Sequence, residues 1–337
     1  MRSSCSISKS KRNTKKRRNL SSSKRNRGLN NGTAKPMKKK VNIPVPEGQT
    51  EWDYLISPDK WALGKVNAFS NTTIFSSLKG MMNDSQKKMF RDTCFAHFLD
   101  VKDIIVNHQL IHQVLLREVK QPNPDEMWFK IGDNIVSFTM EDFCLITGLG
   151  LEDEDKRSIF DSTYCRINNE YLSHLSSIST SDISQFFINS AYLCDEDVVR
   201  FGLLYLLTNL MFMTTYKKSV EESLMVLIDS LEFNSYAWGK ELFKITLSSL
   251  KAGLRNKSLI IEGDGKLYLA YRICGFVLAF QMWIYETIPI LDGKIYSRIG
   301  SRSPRMLNWT SRVNETFNHN LNVGKDIFGR PDISVFD

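Results

Sequence analysis

The stretch "EMWFKIGDNIVSFTMEDFCLITGLG", Glu126 to Gly150, is the most patterned part of the chain. It carries glycines at 132, 148 and 150 among several carboxylates, so it reads either as a ligand-gripping loop or as architecture. The local chemistry favours architecture. In "MWFKI", Met127, Phe129 and Ile131 fall on one face of an extended chain, and Trp128 and Lys130 on the other. "GDN", with Gly132, is turn chemistry, and "IVSF" alternates again up to Phe138, so a short β-hairpin is predicted near 127–138. Thr139 then stands where a helix N-cap belongs, able to accept from the backbone N–H of Asp142. Glu141 and Asp142 suit the positive end of the helix dipole. Met140, Phe143, Cys144 and Ile146 are expected on the buried face, with Gly148 as a left-handed stop. Phe129, Gly132, Phe138, Thr139, Phe143 and Gly148 are therefore assigned to a structural motif.

Upstream, from Gln86 to Val119, the pattern is helical. Ile104, Ile105, His108, Ile111, His112, Leu115 and Leu116 share a face, and Pro122 and Pro124 break the run. Downstream, residues 151–184 form a polar connection that is mobile or partly helical. "VEESLMVLIDSL", "GKELFKITLSSLKAGL" and "LYLAYRICGFVLAFQMWIYETI" are the clearest helices of the second half, with Pro289 ending the last. The expected organisation is a disordered basic tail over 1–47, a helical half with the hairpin–helix motif over 48–150, and the connection over 151–184. A second helical half of the same domain follows over 185–312, then a weakly ordered end over 313–337. No internal repeat is visible. The fold class is mainly α: a multi-helix globular domain with a short β-hairpin and a disordered basic N-terminal tail.

A net charge of +8 hides a division. Residues 1–40 hold 15 Lys/Arg and no acid, so the rest holds 30 Lys/Arg against 37 Asp/Glu, a net −7. With 42% hydrophobic residues the body can bury a core. The apolar runs 201–213 and 271–291 are expected as helices of a soluble core. The first is short and contains Thr208 and Asn209; the second carries Arg272, Gln281 and Glu286, each costly in hydrocarbon. No membrane contact is expected. The start of the chain lacks the apolar segment of a secretory signal, which argues against a framework built from the 6 cysteines.

Chemistry-bearing patterns are sparse. Cys94, His97, His108 and His112 superficially resemble a zinc set, but two of them sit on an amphipathic helix and read as core histidines, so no metal is expected. No G-x-S-x-G, P-loop or G-x-G-x-x-G occurs, and no cysteine lies in a motif with a positioned base. "EGDGK" at 262–266 reads as a hairpin or loop. No catalytic residue and no cofactor are expected. The strong electrostatic signal is the tail: Lys9, Lys11, Arg12, Lys15, Lys16, Arg17 and Arg18, then Lys38, Lys39 and Lys40. Such clusters suit a nuclear import receptor and non-specific nucleic acid.

"LIHQVLLREV" followed by the stretch quoted first resembles a plant family, the domain of unknown function 1985 (DUF1985). The likeness continues in "LIDSLEFNSYAWGKELFKITLSSLKAGL", "YRICGFVLAFQMWIYETIPIL" and "PRMLNW", over roughly 85–310. Family members often have proline where this chain has Ala237 and Val277. The resemblance implies a plant nuclear protein related to Mutator-like transposons, in a family often fused to a cysteine protease of the SUMO-deconjugating type. It supplies no catalytic residues within this domain. The 27 residues after position 310 contain His319 and no cysteine, so the protease is expected to be missing. The expected function is a non-enzymatic nuclear binding or targeting module with an unidentified protein partner. The alternatives are an accessory or truncated part of a SUMO-deconjugating protease and a sequence-reading DNA-binding protein. The acidic body and the want of a helix-turn-helix signature count against the last.

Overall fold

The computed structural model describes residues 52–68, 73–151, 164–212, 219–255, 258–261, 267–311, 322–330 and 333–335. The basic tail, including every lysine and arginine from Lys9 to Lys40 named above, lies outside the described residues. So do 152–163 of the polar connection and much of the C-terminal end.

The hairpin forms where alternation places it: β2 (Met127–Ile131) pairs antiparallel with β3 (Asn134–Phe138), turning through Gly132 at φ 57°. It is not left bare on its outer side. The chain at Arg117–Val119 runs alongside β2, with Val119 N–H donating to Trp128 at 2.9 Å and Lys130 N–H donating to Arg117 at 3.0 Å. Residues 53–55 add a further layer, through Leu55 N–H to Glu118 at 2.8 Å. The two faces of β2 enter different apolar clusters. Met127, Phe129 and Ile131 join the main core, while Trp128 packs with Trp52, Val119 and Ile135.

Helix α4 (Met140–Thr147) follows β3 directly. Its start is a reciprocal capping box: Thr139 Oγ1 accepts from Asp142 N–H and the Asp142 carboxylate accepts from Thr139 N–H, both at 3.2 Å. Its end is Gly148 at φ 71°. A Cβ there would lie 2.8 Å from the Pro304 ring, so the left-handed backbone and the packing both demand glycine.

The remaining helices are α1 (Ile74–Met81), α2 (Asp84–Arg91), α3 (His108–Leu115), α5 (Thr180–Ile188), α6 (Asp195–Leu206), α7 (Glu222–Asp229), α8 (Trp238–Arg255) and α9 (Val277–Thr287). The fold is mainly helical with small sheets. Helix α9 is buried on every side, as its apolar residues all round require, and packs on α4. Helix α6 is clasped by α2, α5 and α7. Among the described residues no helix is long and apolar enough to cross a membrane.

Two readings from periodicity are corrected. "LYLAYRICGFVLAFQMWIYETI" is not one helix: Leu267–Ile273 is strand β5, and the chain turns at Gly275 (φ 81°) into α9. Strand β5 is central in a sheet ordered β1-β5-β4, parallel to β1 (Leu63–Ala68) and antiparallel to β4 (Ser258–Ile261). Cross-strand partners on β1, 205 residues away, override the helical pattern. A further hairpin joins β6 (Tyr296–Arg298) and β7 (Trp309–Ser311). The second half is therefore helical with inserted strands. Residues 262–266 lie outside the described residues, but β4 and β5 on either side pair as a hairpin would.

The other correction is the start of α3. The face read from Ile104 begins as extended chain, with Ile105 exposed and Asn107 capping the helix by accepting from Leu110 N–H at 2.9 Å. The cause is Gln281, buried in α9, whose amide binds this segment at both ends. It accepts from Asn107 N–H at 2.6 Å and donates to the Ile105 carbonyl at 3.0 Å. The other buried polar group of that apolar run, Glu286, pairs with Arg305 at 2.8 Å.

Candidate binding cavity

The motif residues converge on aromatic packing. Phe129 lies 5.4 Å from Trp283, Phe138 5.1 Å from Phe280 and 5.5 Å from Phe243, and Phe143 5.7 Å from Phe243, between ring centroids. Edge and tilted contacts at these spacings are the favoured arrangements of aromatic quadrupoles. Gly132 sits under the chain at Ile333, whose carbonyl would be 2.8 Å from an added Cβ.

The four residues with zinc-like spacing do not share a site. His97 donates from Nε2 to the Thr147 carbonyl at 2.6 Å, and burial pushes its pKa down to about 4. His112 donates from Nε2 to the Ala62 carbonyl, so its Nδ1 accepts from the Tyr271 hydroxyl, each at 2.9 Å. Cys94 Sγ reaches the Phe233 carbonyl at 3.7 Å. His108 opens α3, one turn before His112. Among the described residues no group of three or more His, Cys, Asp or Glu is arranged to hold a metal. Burial raises the thiols: Cys94 and Cys144 to about 12, Cys194 to about 11, and Cys165 upward as well. A raised thiol pKa is the opposite of nucleophile activation.

Two ionic features are architectural. Asp197, 1% exposed, receives a bidentate pair from Arg166 at 2.5 and 3.0 Å, with Arg200 at 3.1 Å and Tyr171 at 2.8 Å. Burial alone would raise its pKa, but these donors hold it at about 2. Arg166 also reaches Asp229 at 3.2 Å, so the cluster ties residue 166 to α6 and α7. Glu118 is the converse: burial lifts its carboxyl to about 7, with Arg255 and Lys251 only partly opposing.

What remains open is a cavity of about 500 Å³ between α5, the end of α6, α7 and α8. Each wall follows from helical spacing. On α8, Trp238, Glu241 and Ile245 stand three and four residues apart and face inward together. On and before α7, Glu221, Leu224 and Leu227 do the same. Phe212 and Tyr236 complete an apolar side; the Tyr236 and Trp238 rings meet edge to face at 4.7 Å, with Phe212 6.3 Å from Trp238. The Trp238 indole N–H is already committed, donating to the Phe233 carbonyl at 2.7 Å. Thr180, Ser219 and Ser223 contribute hydroxyl-bearing side chains. Among the described residues, the ionisable side chains of the lining are Glu221, Glu241 and the Tyr236 phenol. The sequence reading missed this site. Its one signal was "SYAWGKELFKI", where an aromatic, an acid and an apolar residue recur at helical spacing.

No curated protein and no solved structure matches the chain. Residues 115–249 match the family model described as Domain of unknown function (DUF1985), a span narrower than the motifs quoted above. It takes in the hairpin, the capped helix and every residue lining the cavity. Over residues 115–249 the chain is thus similar to the DUF1985 family.

Proposed function

We propose that this chain is a non-enzymatic nuclear binding module. Its basic tail serves import and non-specific nucleic-acid contact, and its folded body holds a protein partner. The observation that carries this is the charge division: 15 basic and no acidic residues in 1–40, against a net −7 in the remainder. An uncompensated basic segment attracts polyanions and acidic receptor grooves, while an acidic body repels nucleic acid. The raised thiols of Cys94, Cys144, Cys165 and Cys194, and the carbonyl-bound imidazoles of His97 and His112, support a body without a nucleophile–base pair. The family resemblance supports a plant, transposon-related origin.

Reporter fusions test the division of labour. Residues 1–40 fused to a large fluorescent protein should enter the nucleus, and residues 41–337 should not. If the tail neutralises about six phosphates, full-length protein should bind duplex DNA with a log–log salt slope near about −5. Nuclear entry of the truncated body together with sequence-selective DNA binding would overturn the proposal.

A further inference from the structure

We infer that Ser57 accepts a phosphoryl group from a proline-directed protein kinase. The inference is independent of the nuclear reading. Two Ser-Pro pairs occur in the chain, Ser57-Pro58 and Ser303-Pro304, and no Thr-Pro. The fold tells them apart, because a kinase groove grips the residues that follow the acceptor. Proline has no N–H to satisfy, so directly after the acceptor it suits an apolar pocket that offers no hydrogen-bond acceptor. A cation two residues further on meets the acidic rim that such kinases carry. Ser57, Pro58, Asp59 and Lys60 are all exposed, and Lys60 is that cation. After Ser303 the chain turns straight inside: Arg305 is buried against Glu286, and Met306, at the position matching Lys60, is 0% exposed. Ser57 is also extended, at φ −57° and ψ 138°, as a residue laid along a groove must be. A single turn, Pro58–Lys60, follows it. Lys60 N–H donates to the Ser57 carbonyl at 2.9 Å and Trp61 N–H to the Pro58 carbonyl at 3.1 Å, so two bonds must open to lay Lys60 beside the kinase. The chain is fastened on both sides of the site, by Leu55 N–H on the Glu118 carbonyl and by the Trp61 indole on the Ile56 carbonyl. The Ser57 hydroxyl donates to Asp59, an exposed carboxylate that can turn away. In the transfer, Ser57 Oγ attacks the γ-phosphorus of ATP. The bond from that phosphorus to the bridging oxygen breaks, ADP leaves, and the hydroxyl proton passes to a carboxylate of the kinase. The product sets a charge of about −1.5 to −2 beside Asp59.

The test incubates the full chain with a purified kinase of the cyclin-dependent class and ATP, and locates the phosphate by mass spectrometry of the digested product. Incorporation on Ser57 is expected, and Ser57→Ala should abolish it. Pro58→Ala should slow it about tenfold or more, the range for losing one contact in an apolar pocket. Lys60→Ala should slow it on the order of fivefold, the upper end for one partly exposed ion pair. Ser303→Ala should change nothing. The substituted side chains are all exposed or half-buried, and melting curves show that each variant is folded. Absence of incorporation, undiminished incorporation in Ser57→Ala, or phosphate on Ser303 of the folded chain overturns the inference. Equal rates for Pro58→Ala and wild type would overturn the proline-directed class of kinase.

Discussion

Gly64 in β1 lies against the imidazole of His112: a Cβ on Gly64 would fall 2.2 Å from the ring's Cγ. The contact exists because α3 lies on β1 and uses its polar side chains to cover that strand. His112 binds the Ala62 carbonyl and Gln109 donates to the Gly64 carbonyl, both at 2.9 Å. Strand carbonyls two residues apart point the same way, so one helix serves both. Strand β1 ends its sheet, and covering an edge in this way blocks pairing with other chains.

Gly64→Ala should therefore destabilise the fold by about 2 kcal/mol, the range for overpacking a tight contact. Urea denaturation measures it. In a His112→Ala background the same change should cost much less, and additive effects would show that the close approach is not the cause.

Thr139→Ala should cost about 1 kcal/mol by removing the cap of α4. Gly148→Val should cost more, because the backbone is left-handed at φ 71° and the new side chain would meet Pro304. Thermal melts of both should show the larger drop for the glycine.

The Asp197 cluster should be intolerant of losing its anion. Asp197→Ala removes the buried carboxylate that both Arg166 and Arg200 bind, leaving them to share Asp229, and should cost about 3 kcal/mol, the lower end for breaking a buried ion pair. Replacing Glu170, a half-exposed partner of the same arginine, should cost about 0.5 kcal/mol. Parallel denaturation curves of the two variants separate these cases.

Stability should respond to pH through two opposed buried groups. His97 has a folded pKa near 4 against an ordinary 6.5, so the unfolded chain gains a proton first and stability falls as pH drops from 6.5 toward 4. Glu118 has a folded pKa near 7 against 4.5, so its contribution is full below 4.5 and is lost as pH rises through 7. The two nearly cancel between these limits. Glu118→Gln should therefore leave stability at pH 4.5 unchanged and raise it at pH 8 by about 3 kcal/mol, from 1.36 kcal/mol per pH unit. Melting temperatures of wild type and variant across this range check the crossover.

The elements legible from sequence were those whose determinants lie within a few residues. The hairpin's alternation, the Thr139–Asp142 cap and the left-handed Gly148 are local chemistry, and the structure places each where that chemistry puts it. Helices α7 and α8 were equally plain from their periodicity. Tertiary contacts decided the rest. Leu267–Ile273 became a strand because β1 and β4 offer its backbone partners, and an apolar run alone does not distinguish strand from buried helix. Gly275 marked the break, yet a glycine inside an apolar run has several meanings until Thr246, 2.8 Å from its Cβ position, closes off all but one. Gln281 read as a polar intruder, and only the fold brings Ile105 and Asn107 to its amide. The cavity was least legible. Leu224 and Ile245 are twenty-one residues apart on separate helices, and side chains on different elements line one cavity only when packing brings the helices together.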